Sequence, residues 1–305
     1  MAQLSQTRLY ARALGVDART AREPLPPIGR WQPLRLLGSG GMSRVYLAHP
    51  LSAGPEAARY ALKVIDEHWA QDERALEQIR REALVGNSIS HPHLISVLDW
   101  GMQKPPYYIV MPMLRGSTLE SLINAEQLPS LPMALWIARQ VAEALTALHS
   151  ANWRHADIKP ANIFLSPDGH VTLLDLGLAR RAEEAGHVAH QAIVGTLAYL
   201  PPESLTSSLA PDFRSDIYSL GVTLYQTLSG RLPYSANSLG ELAKLQNETV
   251  PMRLRRIVPD LPLSVANVVH DMIAHEPLRR PQTAAELVRR LLPLEIATFT
   301  ERMRA

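Results

Sequence analysis

The chain has 305 residues, of which 46% are hydrophobic and 20% charged, and its formal net charge at pH 7 is +2. This length can bury a sizeable core in one large or two small domains. The nearly balanced charge, without a concentrated basic tract, argues against nucleic-acid binding, and the absence of cysteine excludes disulfides and cysteine-based zinc sites or nucleophiles. The sequence has neither the apolar run of a membrane span nor the apolar block of a secretory signal, so we expect a cytoplasmic protein.

The N-terminal part is predicted to begin with a leader and continue as strands. Residues 1–30 contain many arginines and prolines with weak periodicity, so we expect them to be disordered or to dock on the folded domain. Trp31–Ala48 alternates enough to predict two strands, and residues 49–59 form a connection to a third strand, Arg59–Asp66. The loop inside the first pair reads Leu37-Gly38-Ser39-Gly40-Gly41-Met42-Ser43-Arg44-Val45. A glycine loop alone is weak evidence for a ligand site, because glycines often serve only tight turns.

The segment Asp72–Ile89 is predicted to be a helix. Its apolar residues recur at helical spacing, and Asp72 can cap its first turn. Glu82 lies on the same side as the apolar Ile79, so its carboxylate faces inward and needs a cationic partner. Lys63, on the preceding strand, is the candidate for that partner.

The rest of the chain is predicted to turn from strands to helices. The predicted elements are the strands Leu94–Trp100 and Tyr107–Met111, a connection over 112–116, and the helices Pro132–His149, Asp216–Leu228 and others between Pro251 and Leu292. The helix Asp216–Leu228 is apolar nearly all round and stops at Gly230, which predicts a buried central helix.

Two short segments carry most of the chemistry. The first reads His155-Ala156-Asp157-Ile158-Lys159-Pro160-Ala161-Asn162, and the second is Asp175-Leu176-Gly177. The Asp157 carboxylate can accept a hydroxyl proton, Lys159 can offset developing charge, and Asn162 and Asp175 offer the hard oxygen ligands that suit Mg²⁺. These are the groups that phosphoryl transfer requires, since that reaction depends on positioning and charge neutralisation.

The distribution of lysine supports this interpretation. Of 31 basic side chains only four are lysine, at positions 63, 104, 159 and 244. Lys159 lies in the first of the two segments above, and an arginine fork is not an equivalent replacement where a compact ammonium group must contact phosphate.

These segments resemble the signatures of eukaryotic-type protein kinases, whose catalytic loop reads H-R-D-x-K-P-x-N and whose metal loop reads D-F-G. Here they read H-A-D and D-L-G. The glycine loop, Tyr60-Ala61-Leu62-Lys63 and Pro201-Pro202-Glu203 follow in the family's order and together span most of the chain. The pattern is most similar to bacterial serine/threonine kinases. It implies an α+β, bilobal kinase-like fold with a small mainly β N-lobe and a larger mainly α C-lobe.

The resemblance also implies domain boundaries. The kinase domain is expected over 31–293, with the N-lobe at 31–111, the hinge at 112–116 and the C-lobe at 117–293. Residues 294–305 are then expected to form a C-terminal tail.

By the same resemblance, the chain is expected to transfer the γ-phosphoryl group of ATP, with Mg²⁺, to serine or threonine hydroxyls of protein substrates. Asp157 and Lys159 would act at the acceptor, Lys63 with Glu82 would grip the phosphates, and Asn162 and Asp175 would hold metal. The implied ATP-binding residues are Leu37, Gly38, Ser39, Gly40, Gly41, Met42, Ser43, Val45, Ala61, Lys63, Met113 and Phe164. For Phe164, simple core packing remains an equal alternative.

Other matching positions have structural expectations. His155 is expected to pack under the catalytic loop, and Asp216 to cap its helix, hold the catalytic-loop backbone, or do both. Glu203 and Arg280 are expected to pair and tie the activation segment to the helical lobe, with a surface ion pair as the alternative. The resemblance further implies that Lys159, together with Gly195 and Thr196, favours serine or threonine over tyrosine acceptors. Thr196 can hydrogen-bond Asp157 and Lys159.

The departures from the family pattern are equally informative. The family usually has an arginine where this chain has Ala156, and that arginine pairs with a phosphate on the activation loop. Residues 178–195 contain no serine, threonine or tyrosine. Because both the phosphate acceptor and its receptor are missing, we expect that loop phosphorylation does not switch the protein on.

Position 86 is a second departure. Gly86 replaces a bulky apolar residue, which would leave a gap and lower helix propensity by roughly 1 kcal/mol relative to alanine. The pair of Lys63 and Glu82 would then be loosely held, and an activating protein partner could tighten it by pressing on the helix around Gly86.

Two rival functions are considered. A pseudokinase, meaning an ATP-binding or partner-binding scaffold, is suggested by Ala156, Gly86 and Ser43, which stands in place of a third glycine. A small-molecule kinase is disfavoured because residues 195–203 resemble the peptide-docking loop of protein kinases. Nucleotide binding without phosphoryl transfer would favour the scaffold.

Overall fold

A computed structural model describes residues 25–54, 59–181, 184, 197–205 and 211–304. The chain divides into two compact units. The first takes in the chain up to Ala83 together with Val97–Leu114, and the second takes Leu84–Ser96 with the chain from Arg115 onward. The last division lies inside the predicted connection 112–116.

The first unit is rich in β-structure. Its five strands form one antiparallel sheet in the order β1-β2-β3-β5-β4. The strands are β1 (Trp31–Ser39), β2 (Ser43–Pro50), β3 (Tyr60–Ile65), β4 (Asp99–Gly101) and β5 (Tyr108–Pro112). Only the last two residues of the predicted strand Leu94–Trp100 belong to a strand, because β4 starts at Asp99, and Leu94 instead makes an isolated bridge to Leu173.

Helix α1 (Glu73–Ser88) confirms the prediction for 72–89, and the Asp72 carboxylate accepts a hydrogen bond from the Ala75 amide at 2.9 Å. Apolar residues of α1 pack with Ile109 of β5 in one buried cluster. The opposite face of the sheet buries a separate cluster around Trp31 and Leu62. The period-two alternation of β3 therefore places Lys63 on the face that α1 covers, since Lys63 lies directly opposite Ile109 in the sheet.

The second unit is mainly helical. Its helices are α2 (Leu119–Asn124), α3 (Leu131–Ser150), α4 (Phe213–Ser229), α5 (Leu239–Glu248), α6 (Leu254–Ile257), α7 (Leu263–Met272) and α8 (Ala284–Arg304). Its short strands are β6 (Ser117–Thr118), β7 (Trp153–Arg154), β8 (Ile163–Leu165), β9 (Val171–Leu173) and β10 (Arg180–Arg181). Together the two units confirm the predicted α+β class.

Helix α4 is the buried centre of this unit. Most of its residues are buried, and it ends at Gly230, whose φ of 69° is left-handed and favours glycine. Helix α4 begins before the predicted Asp216 because Asp212 supplies the N-cap, accepting from the Arg214 amide at 2.8 Å. Asp216 is therefore not the cap, and its carboxylate is available for another use.

Helix α8 runs across the predicted boundary between domain and tail at 293/294. In its last three turns, Glu295 is buried and accepts a hydrogen bond from Arg139 of α3 at 2.6 Å. Phe299 lies edge-on to Trp136 of the same helix, α3. Among the described helices, none combines the length and hydrophobicity that crossing a bilayer would require.

Candidate active site

In the first unit, Lys63 and Glu82 form an ion pair. The Lys63 Nζ lies 2.6 Å from the Glu82 Oε2, and the Glu82 side chain is 3% exposed whereas that of Lys63 is 19% exposed. β3 supplies the lysine and α1 the carboxylate, as the sequence predicted. The ammonium group keeps some access to solvent, so it can contact a ligand without losing its counter-ion.

The predicted walls of the nucleotide site share one face of this sheet. Val45 lies directly opposite Lys63, and Ala61 lies two residues before Lys63 on the same strand. Residues opposite each other, and residues two apart, point to the same face of an antiparallel sheet. Val45 and Ala61 therefore lie beside the Lys63 ammonium group. Met113 follows β5 and is half-buried.

The glycine loop joins β1 to β2 and leaves open space at its glycines. A Cβ atom on Gly38 or Gly41 would meet nothing within 4 Å, and on Gly40 its nearest neighbour would be the Ser43 carbonyl oxygen at 3.7 Å. Neither packing nor a left-handed φ requires these glycines. The open space suits close approach of the backbone to a ligand such as a phosphate. Met42, by contrast, packs against the cluster under α1.

In the second unit, Asp157 lies at the centre of the catalytic loop and is 6% exposed. Its Oδ2 is 2.8 Å from the Lys159 Nζ and accepts a hydrogen bond from the Asn162 side-chain amide at 2.9 Å. Its Oδ1 is buried without a hydrogen-bond partner among the described residues. Burial raises the pKa of Asp157, an effect that Lys159 opposes and Asp175 reinforces.

Asn162 and Asp175 are arranged to offer oxygen atoms. Asn162 donates through its Nδ2 to both the backbone carbonyl and the Oδ2 of Asp157, at 2.8 and 2.9 Å, which leaves its Oδ1 as an acceptor. Asp175 is half-buried and has a left-handed φ of 60°. An amide oxygen and a carboxylate fit the donor set of Mg²⁺, which keeps waters and phosphate oxygens in its other positions. Within the described ranges, no group of three or more His, Asp or Glu side chains could hold a metal by itself.

The backbone before Asp157 is held by Asp216. The Asp216 carboxylate accepts hydrogen bonds from the His155 amide at 2.8 Å, the Ala156 amide at 2.9 Å and the His149 Nε2 at 2.9 Å. Burial alone would raise the pKa of Asp216, but the His149 hydrogen bond and nearby positive charge lower it. The predicted hold on the catalytic loop is confirmed. His149 was not predicted, and its place in the last turn of α3 was the only sequence signal.

Ala156 and His155 have structural roles in the same loop. Ala156 has a left-handed φ of 63°, a conformation that costs free energy outside glycine and that the two Asp216 hydrogen bonds help to hold. His155 is fully buried, and its Nε2 lies 2.9 Å from the Leu174 carbonyl oxygen. Its Nδ1 accepts a hydrogen bond from the Asp157 amide at 3.3 Å. His155 is therefore structural, as predicted.

Phe164 lies on β8, between Thr118 of β6 and Thr172 of β9, and it is half-buried. Packing within the three-stranded sheet of the second unit is sufficient to explain why the Phe164 side chain is half-buried. Its predicted contact with a nucleotide stays a prediction.

Glu203 and Arg280 form a buried, two-contact ion pair. The distances from the Arg280 Nη1 and Nη2 to the two Glu203 oxygens are 2.6 and 2.8 Å, and the side chains are 0% and 3% exposed. Arg280 also donates to the carbonyls of Ala274 and His275 and lies over the Tyr218 ring. The predicted pair is confirmed, and the surface alternative is wrong. Gly195 and Thr196, and most of 178–195, lie outside the described residues.

Comparisons with known proteins agree with this geometry. The family model described as "Protein kinase domain" matches residues 31–294. The chain is 33% identical over 259 residues to the serine/threonine-protein kinase PrkC of Bacillus subtilis, a match that covers 85% of this chain and 39% of PrkC. It is 33% identical over 266 residues to PknB of Mycobacterium tuberculosis, covering 85% of this chain and 42% of PknB. A third relative is the serine/threonine-protein kinase pkn2 of Myxococcus xanthus, 33% identical over 267 residues and matched over 32% of its length. The chain thus spans about two fifths or less of the length of these relatives.

Proposed function

The chain belongs to the protein kinase family, and we propose that it transfers the γ-phosphoryl group of ATP to serine or threonine hydroxyls of protein substrates. The arrangement around Asp157 carries this proposal. Lys159 and Asn162 hold one carboxylate oxygen, Asp216 holds the preceding backbone, and the second oxygen has no partner among the described residues. That second oxygen is the group that can accept the proton of an acceptor hydroxyl.

The electrostatics around Asp157 suit this role. Burial raises the pKa of the carboxyl group, which makes its anion a better proton acceptor, while the nearby Lys159 ammonium group opposes that rise. Lys159 can also offset charge on the transferring phosphoryl group. In the first unit Lys63, held by Glu82, would grip the phosphates of ATP.

Asn162 and Asp175 are the residues that would hold Mg²⁺. Bound there, the metal would supply charge neutralisation on the phosphate oxygens. The free Asn162 Oδ1 and the Asp175 carboxylate are the donors in this chain.

The proposed acceptor class rests on Lys159 and on the relatives. The curated relatives are named serine/threonine-protein kinases. Because the chain covers only part of each relative, the substrates of the whole protein stay part of the proposal.

The absence of cysteine supports a cytoplasmic location, because a reducing compartment needs no disulfides.

We further propose that the site is complete without loop phosphorylation and that a protein partner acts at the helix around Gly86. The first point is supported by Ala156 and by the absence of hydroxyl groups from 178–195. The second is supported by Leu84, an apolar side chain of this helix that is 57% exposed and therefore open to a partner.

The pseudokinase alternative is not favoured. Ala156 was its main support, yet the Ala156 amide is still anchored by Asp216, and the groups of Asp157, Lys159 and Asn162 remain assembled. Loss of the side chain at 156 therefore does not dislocate the loop.

The deciding experiment compares wild type with Asp157→Ala. Radiolabel transfer from ATP to a generic basic protein is expected to fall about 10² to 10⁴-fold, since a positioned acid-base group contributes this much. Thermal stabilisation by ATP is expected to persist in both proteins. Asp260→Ala, an exposed aspartate in the same unit, is the matched control and is expected to keep wild-type transfer. Nucleotide binding without transfer in the wild type would support the scaffold instead.

A further inference from the structure

A small cavity in the second unit lies beside the catalytic loop. It is lined by β7, by the 197–205 segment and by α4, with Arg154, Ala156, Tyr199, Ser204, Ser215 and Ser219 among its walls. Its interior offers about 30 Å³ to the centres of water-sized groups. One water needs about 10–15 Å³ by this measure, so the cavity has room for about two oxygen atoms.

Arg154 is the unexplained residue of this cavity. It is 5% exposed, and its Nε is buried without a hydrogen-bond partner among the described residues. A guanidinium group cannot shed its charge in a protein, and a buried charge without a counter-ion is costly. Arg280 is equally buried but paired with Glu203, whereas no residue in the described part of the chain forms an ion pair with Arg154.

A second arginine stands beside it. Arg154 of β7 and Arg180 of β10 are direct partners in the antiparallel ladder, so both side chains leave the same face of that ladder. Like charges directly opposite each other destabilise a strand pair. An anion bound to Arg154 would compensate its buried charge.

The carboxylates in the cavity wall do not provide that anion. Both oxygens of Asp216 accept hydrogen bonds from His149 and from the backbone of the catalytic loop. The charge of Asp157 is paired with Lys159. Arg154 therefore remains the cation of the cavity without a counter-ion of its own.

We propose that this cavity binds an oxyanion, a phosphate or carboxylate group, with the Arg154 guanidinium as its main donor. Two oxygens of one such group match the available space, and the planar guanidinium fork suits two-contact binding. The Ser204 hydroxyl lines the same cavity and can donate a further hydrogen bond. Ala156 contributes by its small size, because a longer side chain there would enter the cavity.

A bound oxyanion would connect β7 to the 197–205 segment. Tyr199 and Ser204 belong to that segment, which Glu203 also ties to Arg280. A bound anion could thereby stabilise the position of the 197–205 segment, although residues 178–195 contain no hydroxyl that could be phosphorylated. This inference concerns binding by the protein alone and does not depend on the proposed phosphoryl transfer.

The test is a thermal-unfolding titration of the full chain in the absence of ATP. The protein is first treated with phosphatase, and its intact mass is checked so that no covalent phosphate fills the site. Inorganic phosphate and acetate are then added in parallel, with chloride at matched ionic strength as reference, to distinguish the two oxyanion chemistries. At ten times the Kd of the better ligand, the melting temperature of the wild type is expected to rise by about 3 °C above chloride.

Three single variants show which arginine or lysine the anion-dependent rise in melting temperature requires. Arg154→Met is expected to melt at or above the wild-type temperature without anion, because it removes an unpaired buried charge, and to lose the anion-dependent rise. Arg181→Met is the matched control, since Arg181 is on the same ladder but stacks on Trp153 and is exposed. Arg181→Met is expected to keep the anion-dependent rise in melting temperature. Lys63→Met is also expected to keep it, and that result would exclude phosphate binding at the nucleotide site as the cause of the rise.

The proposal is overturned if the wild type shows no rise above chloride, or if Arg154→Met keeps it. Loss of the rise in Arg181→Met or Lys63→Met would also overturn it, because the effect would then not belong to this cavity. If Arg154→Met does not fold, Arg154→Lys decides: it keeps the charge but not the fork, and it is expected to lose most of the rise. An unchanged rise in Arg154→Lys would count against the guanidinium.

Discussion

The two units each contain a buried glutamate paired with a cation, and the two pairs differ in how completely the cation is held. Arg280 is 0% exposed, contacts both oxygens of Glu203 and also donates to two backbone carbonyls. Lys63 is 19% exposed and contacts one oxygen of Glu82. The first arrangement leaves the arginine nothing to bind elsewhere, so it is structural. The second leaves the lysine partly open to solvent, and under the proposed function its ammonium group would bind phosphate.

Lys63→Met gives the largest expected effect, and it acts on turnover. Loss of a charge that stabilises the transferring group is expected to lower phosphoryl transfer at least about 10² to 10³-fold. The melting temperature is expected to fall less than in the Arg280 variant below, because the Lys63 side chain is less deeply buried than that of Arg280. Initial rates and thermal unfolding measured on the same preparation check both points.

The double variant Lys63→Met, Glu82→Gln sharpens this result. It removes the carboxylate left without its cation, so stability is expected to return while transfer stays low. Recovery of transfer in the double variant would contradict the assignment of Lys63 to the phosphates.

Arg280→Met gives the largest expected effect on stability. It leaves the Glu203 carboxylate buried without its cation, a change that typically costs about 3 to 5 kcal/mol. Urea denaturation followed by circular dichroism measures the loss. The double variant Arg280→Met, Glu203→Leu removes both charges and is expected to recover much of it. A loss below about 1 kcal/mol in the single variant would show that the pair is worth no more than a surface ion pair.

Gly86→Leu tests whether the looser pair can be tightened. Gly86 is buried on α1, the helix that carries Glu82, and leucine raises helix propensity there. Leu84 is 57% exposed, whereas Met102 packs against the cluster under α1 that contains Ile79 and Ala83. A shift of about 1.4 kcal/mol toward the paired state is worth tenfold in population, so basal turnover is expected to rise.

The gain in basal turnover of Gly86→Leu is expected to vanish when Glu82→Gln is added, because the substitution at position 86 acts through the ion pair of Lys63 and Glu82. If leucine overpacks the site, stability falls instead. Unchanged or lower turnover with a lower melting temperature would reject the gap at position 86, and with it the partner-activated helix.

Phosphatase treatment gives the smallest expected effect. The 197–205 segment is held at Glu203 by Arg280, and 178–195 contains no hydroxyl to phosphorylate. Basal turnover after treatment is therefore expected to match that of a mock-treated sample. A large loss, with the site mapped to Thr196 or to the serines just beyond Glu203, would contradict phosphorylation-independent activity.

Local sequence patterns predicted secondary structure well where the spacing of apolar residues within one segment is sufficient to indicate a helix. The helix predicted over 72–89 is observed at Glu73–Ser88, and the helix predicted over 132–149 at Leu131–Ser150. The pairing of Lys63 with Glu82 was predicted correctly, because the helical spacing shows which side of α1 faces inward and the strand before it carries Lys63. The predicted strand at Leu94–Trp100 was too long, since apolar runs do not reveal which residues find a partner strand.

By itself, the sequence determined the family, the mixed α+β class and the candidate groups Asp157, Lys159, Asn162 and Asp175, because these follow from residue type at fixed spacing. Only the tertiary structure decided that Asp216 anchors the catalytic loop while Asp212 caps α4, and that Arg280 is fully buried with Glu203. It also decided that Arg154 is a buried cation beside a cavity and that no residue in the described part of the chain pairs with its charge. The physical reason is that burial and the pairing of charges depend on groups up to 77 residues apart, whose contact is set by how the elements pack and by no local pattern.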